Sequence, residues 1–192
     1  MNLEDLRGTK TADNVYLVGN GDNLDITTLK NPSFATNLIS RIYPLTKWRP
    51  TYYICTDPLV LDNYRPEVEE SIRECEIAFL PHEALQTYTG DNIVPIIVKG
   101  EECDLPVTEG VYGHGSTLTI ALKIAQHIGF EEATFVGCNL YFGRELHFYP
   151  RKDDIMAKLS TQELSRRRLR SIRAHFWMIV FANKHKMRLN YL

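Results

Sequence analysis

Residues 15–24 read VYLVGNGDNL, and this stretch decides the fold class. Its first four residues are apolar, which predicts a strand buried on both faces that ends at Gly19. Runs of the same kind recur at 52–55, 77–80, 93–98, 133–136 and 187–191. Pro95 cannot donate to a strand ladder, so its run is expected at an edge. These strands predict an α/β fold with a mostly parallel sheet.

Three helical patterns alternate with the strands, which places helices on both faces of the sheet. They lie at 66–75, 116–128 and 161–186. We expect Gly129 to end the second helix, because glycine commonly follows a helix C-terminus. The longest helix has an apolar stripe formed by Leu169, Ile172, Phe176 and Ile179. Neither repeats nor linkers interrupt the pattern, so we predict a single domain over residues 1–192.

The composition is that of a globular protein of 192 residues with a net charge of −2. This small net charge favours neither nucleic acid nor a membrane as partner. A basic run, Arg166-Arg167-Arg168, is followed by Arg170 and Arg173. Arg166, Arg170 and Arg173 share one helical face, which we interpret as solvated, with a phosphate or nucleic-acid contact as the alternative. Because no apolar run reaches the ~18–20 residues of a bilayer span and no signal sequence is apparent, we expect a cytoplasmic protein without a membrane span.

The four cysteines are not paired as C-x-x-C, so no structural zinc site is predicted. They are Cys55, Cys75, Cys103 and Cys138. Cys55 and Cys138 lie inside apolar runs and are expected to be reduced core residues. A metal-bridged sugar nucleotide is not indicated either, since no D-x-D triplet occurs.

Glycine and hydroxyl residues form two candidate phosphate-binding loops. Gly19-Asn20-Gly21 follows a strand, where ligands bind in parallel α/β sheets, although a plain turn explains it equally well. Leu24 replaces the third glycine of the dinucleotide fingerprint. Gly115, Ser116 and Thr117 precede a helix whose N-terminus attracts anions, and a flexible loop with a Ser cap is the alternative.

Polar side chains follow two further strands. Asp57 follows the second run and is suited to a ribose hydroxyl, a metal or a substrate, with a helix cap as the alternative. His147 lies a few residues past the run at 133–136, where a general base is well placed, although a surface histidine is common there. Tyr141 and Tyr149 are candidates for phosphate contacts or for packing.

Together these motifs resemble the bacterial sialyltransferase-like superfamily. Residues 19–24, GNGDNL, are similar to its G-N-G-P-S-L opening. Residues 113–140, GHGSTLTIALKIAQHIGFEEATFVGCNL, resemble its second signature, in which a small-residue loop starts a helix and a later strand leads into G-x-D. The resemblance covers residues 14–150 and the last strand, and it implies a Rossmann-like sheet with a nucleotide across the strand ends.

The superfamily includes CMP-sialic-acid-dependent glycosyltransferases, DUF115-type motility accessory proteins and 6-hydroxymethylpterin diphosphokinases. The resemblance implies nucleotide contacts by Asn20, Gly21, Asn37, Asp57, Ser116, Thr117 and Asn139, and the loop residues Gly19, Asn23 and Gly115 complete the candidate nucleotide site. It places His147 where sialyltransferases have a histidine proposed as general base. Asn139 replaces the Asp of G-x-D, and Asp22-Asn23 replaces Pro-Ser.

Three functions remain open on this basis. The favoured one is a metal-independent glycosyltransferase that moves a nucleotide-activated sugar, for which a CMP-linked sugar is one candidate, to a glycan or small-molecule acceptor. The second is a Mg-ATP-dependent pyrophosphokinase acting on a hydroxymethylpterin-like substrate, and the third is a non-catalytic nucleotide-binding protein. We expect no tightly bound cofactor, no bound metal in the favoured case and no nucleic-acid partner. Homo-oligomerisation is an expectation from the resemblance alone.

Overall fold

The computed structural model describes residues 1–100, 105–138, 147–149 and 160–192. Within them, seven parallel strands form one sheet in the order β5-β4-β3-β2-β1-β6-β7. The strands are β1 (Asn14–Val18), β2 (Ser33–Thr36), β3 (Tyr52–Ile54), β4 (Ile77–Pro81), β5 (Ile93–Ile96), β6 (Glu132–Val136) and β7 (Arg188–Tyr191). The predicted α/β fold with a parallel sheet and helices around it is confirmed.

Among the described residues, four α-helices connect the strands, together with short 3-10 segments. They are α1 (Pro58–Asn63), α2 (Arg65–Glu74), α3 (Thr117–Ile128) and α4 (Thr161–His185). Gly129 ends α3 in a left-handed conformation with φ of 109°, as its position predicted. Helix α1 was not predicted, because its six residues are too short to show a helical period.

Strand β2 has polar residues at both ends, which is why no apolar run marked it. Ser33 and Thr36 are nevertheless almost fully buried. Ser33 donates to Asn31 Oδ1 over 2.7 Å, and Thr36 Oγ1 donates to the Val18 carbonyl over 3.2 Å. These bonds remove the penalty for burying two hydroxyls, so the strand tolerates them.

The sheet separates two apolar cores. Leu17 and Phe34 point to the face covered by α3 and α4, where they pack with Ile120, Leu122 and Met178. Val18, Ala35 and Tyr53 point to the opposite face, where they pack against α2. Both faces of the central strands are therefore buried, as their continuous apolar sequences predict. Strand β5 with Pro95 lies at a sheet edge, which confirms the expectation from proline.

Helix α4 departs from the expectation that an apolar stripe faces the core. Leu169, Ile172, Phe176 and Ile179 are between 41% and 67% exposed. The face that packs on the core is formed by Ala174, Met178 and Ala182 instead. Two of these residues are small, which lets the helix approach α3 and the sheet closely. The stripe is thus an outer surface of the protein.

No helix in the described part of the chain is long and apolar enough to cross a bilayer.

Candidate nucleotide site at the strand ends

The central strands end level with one another, and this brings distant parts of the chain together. Val18 of β1 is in register with Ala35 of β2 and with Val136 of β6. The chain runs from β1 outward to β5 and then returns to β6 on the other side of β1. In open α/β sheets, ligands bind at such a reversal, outside the carboxyl ends of the strands. The predicted motifs therefore lie at the expected edge.

Gly19, which directly follows β1, and Gly137, which directly follows β6, face each other at these strand ends. A Cβ on Gly19 would lie 2.6 Å from the Gly137 carbonyl oxygen, and a Cβ on Gly137 would lie 2.9 Å from that of Gly19. Gly137 also has a φ of 63°, which disfavours other residues. Gly21 N donates to the Gly137 carbonyl over 2.7 Å. The contact between the two loops is enough to explain a glycine at position 19.

Asn20 lies between the two glycines of this loop, and its side-chain amide is buried. Only 9% exposed, it donates through Nδ2 to the Thr36 carbonyl over 2.8 Å and to Thr36 Oγ1 over 3.2 Å. Within the described ranges, its buried Oδ1 has no hydrogen-bond donor. A buried acceptor without a donor is costly and marks a place where a ligand supplies the missing partner.

Asn37 repeats this arrangement at the end of the neighbouring strand β2. It adopts a left-handed φ of 51°, which asparagine tolerates better than most residues. Tyr53 OH donates to its carbonyl over 2.8 Å, and its own N–H donates to the Ile54 carbonyl over 3.2 Å. Its Oδ1 is buried with no donor among the described residues. Two adjacent strand ends thus each offer an unsatisfied amide oxygen.

The loop before α3 is fixed on two sides. Thr117 Oγ1 lies 3.0 Å from Thr56 Oγ1, which ties the start of α3 to the end of β3. The His114 ring stacks on Trp177 of α4 at 4.7 Å, and a Cβ on Gly115, whose φ is 89°, would lie 3.0 Å from Arg170 Cβ. Ser116 is the N-cap residue but makes no capping bond through its side chain. The N-terminus of α3 is thereby held at the same edge as Asn20.

Asp57 has the role of a cap, which was one of its two interpretations. Its carboxylate accepts from Leu59 N over 3.0 Å and begins α1. It also lies 3.6 Å from Arg167 of α4, which in turn pairs with Glu163. Sequence reasoning interpreted the arginine-rich helix as solvated and did not predict that Arg167 contacts Asp57. No local signal identifies it, because only the tertiary fold brings α4 to the end of β3.

His147 lies beside the glycine loop. Its neighbour Phe148 donates its backbone N–H to the Asn20 carbonyl over 3.1 Å. The His147 ring stacks on Tyr149 at 4.8 Å with 13° between the planes. Tyr149 is 9% exposed, and the Arg41 guanidinium lies 4.5 Å from its ring centroid. Arg41, which sequence reasoning missed, also pairs with Glu67 over 3.0 Å.

The remaining predicted residues divide into two groups. Asn23 is exposed on the turn after Gly21. Asn139 and Tyr141 lie outside the described residues, so their roles stay predictions.

Cys55 is buried, Cys138 packs against one core, and both are free thiols, as expected. In the described part of the chain, no group of three or more His, Cys, Asp or Glu side chains is arranged to hold a metal ion.

A cavity of about 390 Å³ lies elsewhere, between the N-terminal segment and the end of β5. Its walls include Leu3, His82 and Ile96. Three strands separate β5 from β1 in the sheet, so this cavity is not part of the asparagine cluster.

No family model and no curated protein sequence matches the chain. Several solved structures match it in fold. The monofunctional α-2,3-sialyltransferase Cst-I from Campylobacter jejuni has a TM-score of 0.58 at 13% identity, over 96% of this chain and 77% of that one. The sialyltransferase CstII from the same organism, in complex with cytidine-5'-monophosphate, has a TM-score of 0.55 at 15% identity, over 95% and 81%.

A third structure, CST-II in complex with a trisaccharide acceptor and CMP, has a TM-score of 0.56 at 15% identity, over 93% of this chain and 80% of that one. Identities this low show a shared fold and leave activity to be argued from the site. The chain therefore has a sialyltransferase-like fold, and its central strand ends carry a helix N-terminus and two asparagine oxygens that have no donor in the described part of the chain.

Proposed function

We propose that the protein is a glycosyltransferase that uses a CMP-activated sugar and needs no metal ion. The observation that carries this proposal is the buried Oδ1 of Asn20, which has no hydrogen-bond donor among the described residues, and the same holds for Asn37 at the next strand end. A cytidine nucleotide offers hydrogen-bond donors in its base amino group and in its ribose hydroxyls. Binding such a ligand would satisfy acceptors that otherwise remain buried at a cost.

The fold likeness supports the same ligand. Two of the solved structures similar to this chain are sialyltransferases in complex with CMP, and one of them also holds a trisaccharide acceptor. None of the three structures reported above is a pyrophosphokinase or a DUF115 protein, and no observation at the site favours those alternatives.

Each group of site residues has a proposed role that follows from its position in the fold. Asn20, Gly21 and Asn37 bind the nucleoside part at the ends of β1 and β2. Ser116 and Thr117 present the N-terminus of α3 to the phosphate, where the helix dipole and backbone N–H groups stabilise negative charge as CMP departs. Gly115 lets this loop pack against α4. Gly19, Asn23, Asp57, Asn139 and Tyr141 remain proposed members of the nucleotide site.

His147 is the proposed general base. Its segment is hydrogen-bonded to the Asn20 loop, so its ring lies beside the proposed donor site. It would take the proton from the acceptor hydroxyl as the new glycosidic bond forms, while the bond to the CMP phosphate breaks. The stacking partner Tyr149, held under Arg41, fixes the plane of the imidazole. A positioned base of this kind contributes typically ~10²–10⁴-fold to the rate.

CMP binding tests the nucleotide site directly. We expect CMP to bind the wild-type protein and Asn20→Ala to weaken that binding about tenfold or more, because one hydrogen bond in a buried site is lost. Asn92→Ala is the matched control. Its Nδ2 likewise donates two hydrogen bonds, to the carbonyls of Ile72 and Cys75, but it directly precedes β5 and so lies at the amino end of the strands. Isothermal titration that finds equal CMP affinity in both variants would contradict the site.

Release of CMP from a CMP-sugar, with a panel of glycan acceptors, tests the chemistry. His147→Ala should lose transfer by ~10²–10⁴-fold while its affinity for CMP stays unchanged. Activity should persist in EDTA if no metal takes part. Full transfer by His147→Ala would remove the base assignment, and tight CMP binding without any transfer would leave a nucleotide-binding protein that is not an enzyme.

A further inference from the structure

The charge of the chain is distributed very unevenly. Residues 160–192, which form α4 and β7, contain eight Arg and Lys residues and one Glu, a formal charge of +7. The whole chain has a net charge of −2, so residues 1–159 carry −9. The small net charge considered in the sequence analysis therefore hides a strongly cationic C-terminal element on an anionic body.

The same element carries the exposed apolar stripe, which we define as Leu169, Ile172, Phe176, Ile179 and Val180. At 100° per residue these side chains fall within an arc of about 100° and extend along about 16 Å of helix. Ala174, Met178 and Ala182, which pack on the core, lie almost opposite. The stripe is therefore directed away from the rest of the fold.

Arginines flank the stripe. At helical spacing, Arg166 and Arg173 lie next to one border of the arc and Arg168 next to the other. Arg166, Arg170 and Arg173 are exposed. Long arginine side chains extend past apolar neighbours, so that the guanidinium groups lie above an apolar patch. An exposed apolar stripe bordered by cations is the arrangement of a helix that lies flat in a membrane interface.

We infer that α4 docks on an anionic lipid surface, with the stripe among the acyl chains and the flanking arginines at the headgroups. Charge complementarity selects this occupant. A second copy of the chain would bring an identical +7 element against its own, and like charges repel. A nucleic acid would neutralise the arginines but would leave five large apolar side chains in water. Lipid binding needs no transferase activity, so this inference and the proposed function can fail separately.

Sedimentation with vesicles, in the absence of any nucleotide, tests the inference on the whole chain. We expect the protein to bind phosphatidylcholine–phosphatidylglycerol vesicles at low salt and to bind phosphatidylcholine vesicles much more weakly. Because each cation near an anionic surface strengthens binding about fivefold, Arg173→Glu should weaken it about 25-fold. Arg73→Glu, which reverses an exposed arginine on α2, should leave the vesicle affinity nearly unchanged.

A second variant and its matched control test the contribution of the apolar stripe. Leu169 is 67% exposed on the stripe, and Leu45 is 68% exposed elsewhere. Leu169→Ser should weaken vesicle binding about tenfold, since a large aliphatic side chain no longer enters the acyl region, whereas Leu45→Ser should not. Thermal unfolding checks that all four variants are folded, which is expected at exposed positions.

Four outcomes would overturn the inference. The first is no binding to anionic vesicles at low salt, and the second is equal loss in a stripe variant and its control. The third is a dimer in sedimentation equilibrium that dissociates on Leu169→Ser, which would assign the stripe to a second copy. The fourth is vesicle binding that responds to Arg173→Glu but not to Leu169→Ser, which would indicate electrostatic adsorption to the headgroups without insertion of the stripe.

Discussion

Replacing Gly19 by Ala tests whether this glycine serves the contact between two loops. The new Cβ would lie 2.6 Å from the Gly137 carbonyl oxygen, and this separation must lengthen to the 3.4 Å at which ordinary contact begins. Two hydrogen bonds resist that movement: Gly19 N to the Val136 carbonyl, at 2.9 Å, and Gly21 N to the Gly137 carbonyl, at 2.7 Å. The β1–β6 register holds both loops close.

The expected cost follows from these contacts. Overpacking a close-packed site costs typically ~1–3 kcal/mol, and stretching one hydrogen bond adds about 1 kcal/mol. We expect Gly19→Ala to lower the free energy of unfolding by about 3 kcal/mol, and for a domain of this size that lowers Tm by about 9 °C. Differential scanning calorimetry and urea unfolding measure the two quantities independently.

Gly100→Ala is the control for this substitution. A Cβ at Gly100 meets no atom of the described residues within 4 Å, so the same change there should leave stability unchanged or raise it slightly. If Gly19→Ala and Gly100→Ala had the same Tm, the strand ends would be free to separate. The glycine at position 19 would then need another reason, such as the close approach of a ligand to the backbone.

Three further predictions concern other parts of the fold. Thr117→Val removes the 3.0 Å contact with Thr56 and should lower unfolding free energy by about 1 kcal/mol, as urea titration would measure; no loss would mean that α3 is held without it. Burial raises the pKa of the Cys55 thiol to about 12, so iodoacetamide at pH 8 should alkylate it about a thousandfold more slowly than an unfolded cysteine, by mass spectrometry. Rapid labelling of native protein would contradict that burial. Burial lowers the pKa of His175, so the unfolded chain binds the proton more readily and stability should fall as pH drops below about 6.5. His175→Gln should flatten this part of the pH–stability curve. An unchanged slope would remove His175 as its cause.

The sequence predicts most of the sheet because its strands are buried on both faces. Strands β1, β3, β4 and β6 have continuous apolar sequences, and their positions were correct within one or two residues. Strand β2 gave no such signal, because its Ser33 and Thr36 satisfy their hydroxyls through contacts that form only in the folded sheet. Periodicity identifies elements by burial alone, so it misses a strand buried with polar ends.

The orientation of α4 was not predictable from its pattern. A helix with one large-residue stripe and one small-residue stripe offers two faces, and packing selected the one with Ala174 and Ala182. For the same reason the candidate site was only partly predictable. The positions of Asn20 and Thr117 follow from motifs, whereas Arg41 and Arg167 reach the site through tertiary contacts that leave no trace in local sequence.

The late return of β6 to the side of β1 has a consequence for synthesis on the ribosome. Strand β1 is complete at residue 18, but its second neighbour begins only at residue 132. At ordinary elongation rates the open edge of β1 waits on the order of ten seconds for its partner. During that interval an apolar strand with unpaired backbone groups is a template for wrong pairing with other nascent chains. The protein should therefore depend on holdase chaperones while it is translated, and slow translation upstream of β6 should increase its aggregation.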